Sequence, residues 1–192
     1  MEQYVITISR QFGSMGRSIA RELSEILGIE FLDRDIVEAT AKRMGLPVSV
    51  ISDEEESMKS TFFRRQYPLG MGMSSLKDEI FLTQKNIIRD FAAKGSCIIV
   101  GRCADYILRD KADCLKVFIH ADMAFRAHRI VEVYGQREQS PEERLRDKDK
   151  RRAAYHRFYT DMKWGHAQNY HITLDSGALG IDKCVDILVP LF

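Results

Sequence analysis

Val5-Ile6-Thr7-Ile8-Ser9-Arg10-Gln11-Phe12-Gly13-Ser14-Met15-Gly16-Arg17-Ser18 changes its physical character twice. Val5 to Ile8 is a short run of β-formers, and Gln11 to Gly16 is a polar loop punctuated by glycine. From Arg17 onward Ile19, Ala20, Leu23, Ile26 and Leu27 recur at helical spacing, and Gly28 stands where a helix C-cap would. A strand that turns through glycines into a helix gathers backbone N–H groups at the positive end of the helix dipole, which makes the turn a candidate anion site.

The rest of the chain repeats the alternation. Ile29-Glu30-Phe31-Leu32 reads as a second strand, ending at Asp33-Arg34-Asp35, and a helix carrying Ile36, Val37 and Ala41 follows. Cys97-Ile98-Ile99-Val100 and Leu115-Lys116-Val117-Phe118-Ile119 are short apolar runs of the kind buried on both faces of a parallel sheet. Helices are expected from about Leu76 to Lys94, through Phe125, Ile130 and Val133 to Gly135, and from Ser140-Pro141 to about Thr160, with Ser140 as N-cap and Pro141 at the first helical position. Tyr170 to Leu174 is the last strand and Ile181 to Leu188 the terminal helix. The expected fold is α/β, a mostly parallel sheet between helical layers, formed as one domain over 1–192. Within it, 45–75 is expected to be a mobile flap, because its mixture of glycine, methionine and aromatics fits no regular core element. The charged segment 138–165 is expected to be a helical lid.

Composition narrows the class. With 192 residues, 45% of them hydrophobic and 30% charged, the chain has enough apolar material for a substantial core. A formal charge of +1 argues against a bulk nucleic-acid binder. No apolar run approaches the ~20 residues of a membrane-spanning helix, so no membrane partner is expected. Met1-Glu2-Gln3-Tyr4 leads directly into a strand, so no cleavable leader is expected. Cys97, Cys103, Cys114 and Cys184 lack Cys-x-x-Cys spacing and are expected to be buried thiols in a cytoplasmic protein. His120, His128, His156, His166 and His171 show no metal-ligand spacing.

In an open parallel sheet ligands bind beyond the carboxyl ends of the strands, which directs attention to Ser9–Ser18, Asp33–Asp35 and Gly101–Asp105. Against the phosphate-loop template G-x-x-x-x-G-K-[ST] the match is partial. Gly16 and Ser18 fit, while Arg17 takes the lysine position and Gln11 that of the first glycine. Aligned instead from the end of the strand, the lysine position falls on Gly16 itself. The candidate phosphate-binding set is therefore Arg10, Gly13, Ser14, Met15, Gly16, Arg17 and Ser18. Ser18 either faces a Mg²⁺ ion or satisfies the first helical turn.

Three stretches together resemble one family. Ile6 to Arg17, Ile98-Ile99-Val100-Gly101-Arg102-Cys103-Ala104-Asp105-Tyr106, and Asp149-Lys150-Arg151-Arg152-Ala153-Ala154-Tyr155 with Trp164-Gly165 and Asn169-Tyr170 are similar to signatures of the cytidylate-kinase-like proteins, relatives of the P-loop nucleoside monophosphate kinases. The resemblance covers nearly the whole chain. It implies an adenylate-kinase-like three-layer α/β/α fold and ATP-dependent phosphorylation of CMP or dCMP with Mg²⁺. It also implies that Arg102 holds the acceptor phosphate and that Asp149 and Arg152, on the lid helix, contact phosphates and nucleotide. True cytidylate kinases carry the P-loop lysine and often a glycine at the Met15 position; this chain departs from both.

Phosphoryl transfer needs little covalent chemistry, but it needs donor and acceptor in line and their charge neutralised. Arginines from separate segments should therefore converge. Arg17, Arg102 and Arg152, with Asp149, are the candidate catalytic residues, and Asp33, Arg34, Arg102 and Asp105 the candidate acceptor-binding ones. Arg34, Arg64, Arg65, Arg144, Arg146 and Arg151 are further cations in reach by position. Several readings stay open: Asp33 as a helix N-cap, Arg102 paired with Asp105, Asp149 paired with Arg152, and Phe62, Phe63 and Tyr67 as either base sandwich or hydrophobic cluster. A phosphate-binding protein without catalysis, a kinase for another small acceptor and a homodimer also stay open.

Overall fold

The computed structural model describes residues 3–56 and 76–192. Five parallel strands, β1 (Val5–Arg10), β2 (Glu30–Leu32), β3 (Cys97–Val100), β4 (Cys114–His120) and β5 (Ile172–Asp175), form one sheet in the order β2-β3-β1-β4-β5. The register aligns Val5 with Cys97 and Cys114, and Arg10 with Ile119. Chain order reverses beside β1, so the loop after β1 lies at the switch point where open α/β sheets place their ligands.

Alternation along the strands builds two apolar layers. Ile6, Ile8, Ile98, Val100, Val117 and Ile119 face α1 (Gly16–Leu27) and α8 (Ser176–Leu188). Val5, Cys97, Ile99 and Cys114 face the other side, against Ile36 of α2 (Arg34–Met44), Phe81, Ile87 and Ile88 of α4 (Leu76–Lys94) and Ala104 and Ile107 of α5 (Ala104–Ile107). The chain is thus a three-layer α/β/α sandwich, as the sequence predicts. α6 (Met123–Tyr134) and α7 (Pro141–Thr160) pack on each other over the carboxyl edge of the sheet, and Ser140 caps α7 through a capping box with Glu143.

The structure differs from the sequence reading at three places, and one part of that reading falls outside the described residues. α3 (Val48–Glu56) occupies the first part of the segment expected to be a flap and buries Ile51 against Val37, Ala41 and Ile80. Residues 57–75, with Arg64, Arg65, Phe62, Phe63 and Tyr67, lie outside the described residues. α5 is an additional short helix entered through left-handed Arg102 (φ 53°) and Cys103 (φ 56°). The last helix begins at Ser176, capped by Asp175, and is interrupted at Gly180 rather than starting at Ile181. Among the described residues, no helix is long and apolar enough to cross a membrane.

Cys97, Cys103, Cys114 and Cys184 are buried thiols. Burial pushes the Cys97 thiol up to about 12 and that of Cys114 up to about 11. The thiolate is the reactive form, so native protein should react slowly with a thiol reagent at pH 8 and fully once denatured. A native thiol titrating within the mixing time would contradict this. Because Ile98 is fully buried and Ile26 is 56% exposed, Ile98→Ala should cost about 3 kcal/mol and Ile26→Ala well under about 1 kcal/mol in urea unfolding.

Candidate functional site

The loop after β1 is held from four directions, mostly through its own main chain. The Gln11 N–H donates to the Ile119 carbonyl at the end of β4 (3.0 Å), and Gln11 Oε1 accepts from the Ala121 N–H (3.2 Å). The Ser14 hydroxyl lies beneath the loop and donates to the Gln11 and Ile119 carbonyls, while Ser176 Oγ donates to the Ser14 carbonyl (2.6 Å). Phe12 is clasped at both ends: its N–H donates to Asp149 Oδ1 (2.7 Å), and its carbonyl accepts from Arg126 Nη1 (3.2 Å). Arg126 closes the circuit on Asp149 Oδ2 (2.6 Å).

These ties fix a backbone no ordinary turn would choose. Gly13 has φ +79° and Met15 φ +57°, the second at some cost for a side chain with a Cβ. Among the described residues, the amides of Gly13, Met15, Gly16, Arg17 and Ser18 have no intramolecular acceptor. Unsatisfied donors at a helix start, behind a glycine turn, form an anion cradle. Ser14, by contrast, supplies no donor: its side chain is sealed inside and its N–H donates to the Gln11 carbonyl (3.4 Å).

Beside the cradle, between the carboxyl ends of β1 and β3 and the flank of α7, lies a cavity of about 200 Å³. Its lining includes Arg10, Arg102, Lys148, Arg151, Arg152 and His156. Arg10 and Arg102 come from strand ends and the others from α7, so four of the arginines named from the sequence, Arg10, Arg102, Arg151 and Arg152, meet at one cavity. Both Arg151 and Arg152 reach the lining, although they are adjacent on the helix. Arg151 also pairs with Asp147 (2.8 Å), and Arg152 Nη1 donates to the Arg10 carbonyl (3.0 Å) with its guanidinium 5.6 Å from the Phe12 ring.

Asp33 makes no side-chain cap on α2. Its carboxylate, only 8% exposed, accepts from Arg17 Nε (2.8 Å) and Arg102 Nη1 (3.3 Å), and Arg10 Nη2 lies 3.8 Å away. It therefore gathers the arginines of three segments at one point. Arg102 pairs with Asp33 and not with Asp105, and Asp149 is engaged by Phe12 and Arg126, not by Arg152. Asp105 lies below the cavity, with Oδ2 2.9 Å from His156 Nε2 and Oδ1 accepting from Ser9 Oγ (3.4 Å). Arg34 and Arg146 are exposed and do not line the cavity, and Arg144 is buried and donates to the Gly135 carbonyl behind α6.

Sequence reading missed Arg126 and His156. Both are nearly fully buried, and both act through an acidic partner far away in the chain. The visible signal for Arg126 is its place four residues before Ile130 on the apolar face of α6. For His156 it is the spacing of Asp149, Arg152, His156 and Thr160, which puts all four near one face of α7.

Among the described residues no group of three or more His, Cys, Asp or Glu could hold a metal ion. Ser18, the hydroxyl that the sequence offers to Mg²⁺, lies in the first turn of α1.

A parallel β2-β3-β1-β4-β5 sheet with an amide cradle after β1 defines the P-loop kinase fold. Solved structures agree: a shikimate kinase from Acinetobacter baumannii in complex with shikimate (TM-score 0.57, 16% identity, 98% of this chain and 92% of that one) and a gluconokinase from Sinorhizobium meliloti 1021 (TM-score 0.59, 14% identity, 98% and 93%) superpose on it. An uncharacterized protein from Eubacterium ventriosum ATCC 27560 is more similar, with TM-score 0.74 and 28% identity over 98% of both chains. Residues 5–178 match the cytidylate kinase-like family, and the chain belongs to that family. No curated protein matches the chain.

Removing Asp149 should reveal its structural share. Asp149→Ala leaves the Arg126 guanidinium, whose side chain is 5% exposed, without its carboxylate, and should cost about 3–5 kcal/mol in urea unfolding. Asp149→Ala combined with Arg126→Met should lose clearly less than the sum of the single changes; additive losses would mean the two groups are not coupled.

Proposed function

We propose that the protein is an ATP-dependent phosphotransferase whose acceptor is a small phosphate-bearing molecule, with CMP or dCMP the leading candidate. One observation carries the reading: an amide cradle with unsatisfied donors opens beside a cavity lined by arginines from β1, β3 and α7. Two phosphate-binding features side by side are what in-line transfer between a polyphosphate donor and a phosphorylated acceptor requires.

The chain's own groups divide the work. Amides of Gly13, Met15, Gly16, Arg17 and Ser18 hold the donor's terminal phosphates. Arg102, fixed by Asp33 and by the Val100 carbonyl (3.3 Å), presents its guanidinium to the acceptor phosphate. Arg152, anchored on the Arg10 carbonyl, reaches from α7 to the junction between donor and acceptor, where charge spreads in transfer. Asp149 touches neither phosphate: it positions the Phe12 amide and Arg126 and so keeps the cradle's shape. Asp105 likewise positions His156 and ties α7 to the sheet. Arg17 points toward Asp33, so its effect on the donor passes through the arginine cluster as well as through its amide. When bound, Mg²⁺ adds charge neutralisation on the donor phosphates, with Ser18 at hand for it. Catalysis on this plan is positioning and electrostatic stabilisation.

A second reading, a kinase for a non-nucleotide acceptor, draws on the fold likeness to a shikimate kinase and a gluconokinase. A panel of ATP with CMP, dCMP, UMP, AMP, shikimate and gluconate, read by ADP release, separates the two. Turnover confined to shikimate or gluconate would replace the first reading with the second, and ATP binding with no turnover on any acceptor would replace both with a binding function. Arg102→Ala should raise the acceptor KM at least about 10-fold, since a charge-assisted contact is worth about 1.5–3 kcal/mol, while ATP affinity measured by calorimetry stays close to that of the parent. Collapse of ATP affinity would move Arg102 to the donor side.

A further inference from the structure

The phosphate-loop template puts its lysine on the first residue of the helix and its opening glycine at the end of the strand. In this chain the first residue of α1 is Gly16 and the last of β1 is Arg10. The two residue types have changed places. A Cβ built on Gly16 would lie 2.7 Å from Arg10 Cβ and 3.0 Å from Arg10 Cγ, closer than real side chains approach. Any side chain at position 16 would thus claim the volume that the Arg10 stem already fills. At the far end, a Cβ on Gly101 would collide with Arg10 Nη1. Arg10 therefore runs in a slot with a glycine at each end, its stem against the start of α1 and its head between β1 and β3.

We infer that Arg10 supplies the cation that the template takes from the helix, and that Gly16 is glycine because Arg10 is arginine. The inference rests on the phosphotransferase reading for its ligand class, the terminal phosphates of a polyphosphate, but the exchange itself is a matter of packing. Three further facts fit. The Arg10 side chain is 19% exposed, with Nη2 3.8 Å from the Asp33 carboxylate, so its direction is set. It lines the cavity next to the cradle. Its carbonyl accepts from Arg152, so a cation from α7 is fixed to the same residue. A lysine leaving from Gly16 and an arginine leaving from Arg10 pass through the same point, so the charge is delivered to the loop from the strand side. The guanidinium also gives a planar, two-pronged donor where an ammonium gives a point charge.

The test uses the full chain in five forms: parent, Arg10→Met, Arg10→Gly, Gly16→Lys, and Arg10→Gly combined with Gly16→Lys. Inorganic tripolyphosphate and ATP are the calorimetric probes, and thermal unfolding reports packing. Arg10→Met keeps the stem, so it should melt near the parent yet bind tripolyphosphate at least about 10-fold more weakly, the size of one charge-assisted contact. Gly16→Lys should melt lower and bind weakly, because its stem collides with Arg10. The double variant, with the collision removed and a cation restored, should recover both melting temperature and affinity relative to Gly16→Lys. Unchanged affinity in Arg10→Met, or a double variant no better than Gly16→Lys, would overturn the inference. Turnover is read separately: Arg10-dependent tripolyphosphate binding in a protein that phosphorylates no acceptor supports this inference and ends the kinase reading, whereas full turnover in Arg10→Met ends this inference and leaves the kinase reading standing.

Discussion

The Asp149 carboxylate, accepting at once from the Phe12 N–H and from the Arg126 guanidinium, is the contact on which the candidate site depends. A loop that keeps several amides unsatisfied stands at a disadvantage to one that folds back on itself, because it forgoes the hydrogen bonds those donors would make. The left-handed Met15 adds strain of its own. Inside the loop only Ser14 bonds back, to the Gln11 carbonyl, so most of the compensation comes from outside. β4 holds Gln11, α8 holds the Ser14 carbonyl, and α6 and α7 hold Phe12 through one charged pair. The pair is short and mostly shielded, so it supplies the directional strength that the main-chain bonds alone would lack.

That arrangement also fixes how α7 relates to the rest. The helix carries a heavily charged sequence and would pass for a solvated surface element. It is tied down instead by Asp149 to the loop, by Arg152 to the end of β1, by His156 to Asp105, and by the Phe81–Tyr159 stack (3.9 Å between centroids) to α4. Its polar residues at one face are therefore interior groups with assigned partners. The same ties bring Lys148, Arg151 and Arg152 to the cavity wall, so the support for the cradle and the delivery of cations are one piece of structure.

How much of this could be read from the chain follows from the range of the interactions. The sheet was legible because β1 and β3 bury both faces, leaving apolar runs such as Cys97–Val100 that need no partner to be recognised. That Arg10, Arg102 and Arg152 would come near one another was legible because position at a strand end, or family spacing, suffices to bring them to one cavity. α3 was hidden by its acidic tail, and α5 by its length and its entry through two left-handed residues that only tertiary packing stabilises. Arg126 and His156 were hidden for a different reason. Each is a polar residue on a helix that reads as surface until its acidic partner is known, and those partners stand 23 and 51 residues away. Spacing alone could not choose between Asp105 and Asp33 for Arg102, because three residues along the chain is within reach on a helix, and here Arg102 precedes the helix in a left-handed conformation that turns it away.

The loss of the template lysine looks, in sequence, like the loss of a function. In three dimensions positive charge is present but distributed: guanidinium groups from β1, α1 and the turn after β3 meet at Asp33. A carboxylate amid arginines lowers their mutual repulsion and fixes their directions, so the cluster can stand assembled before any phosphate arrives. A single lysine is simpler to place but leaves the direction of the charge to a flexible stem. On the reading inferred for Arg10, the sequence change at the loop is an exchange between two designs for holding phosphate, because Gly16 leaves the room that the Arg10 stem fills.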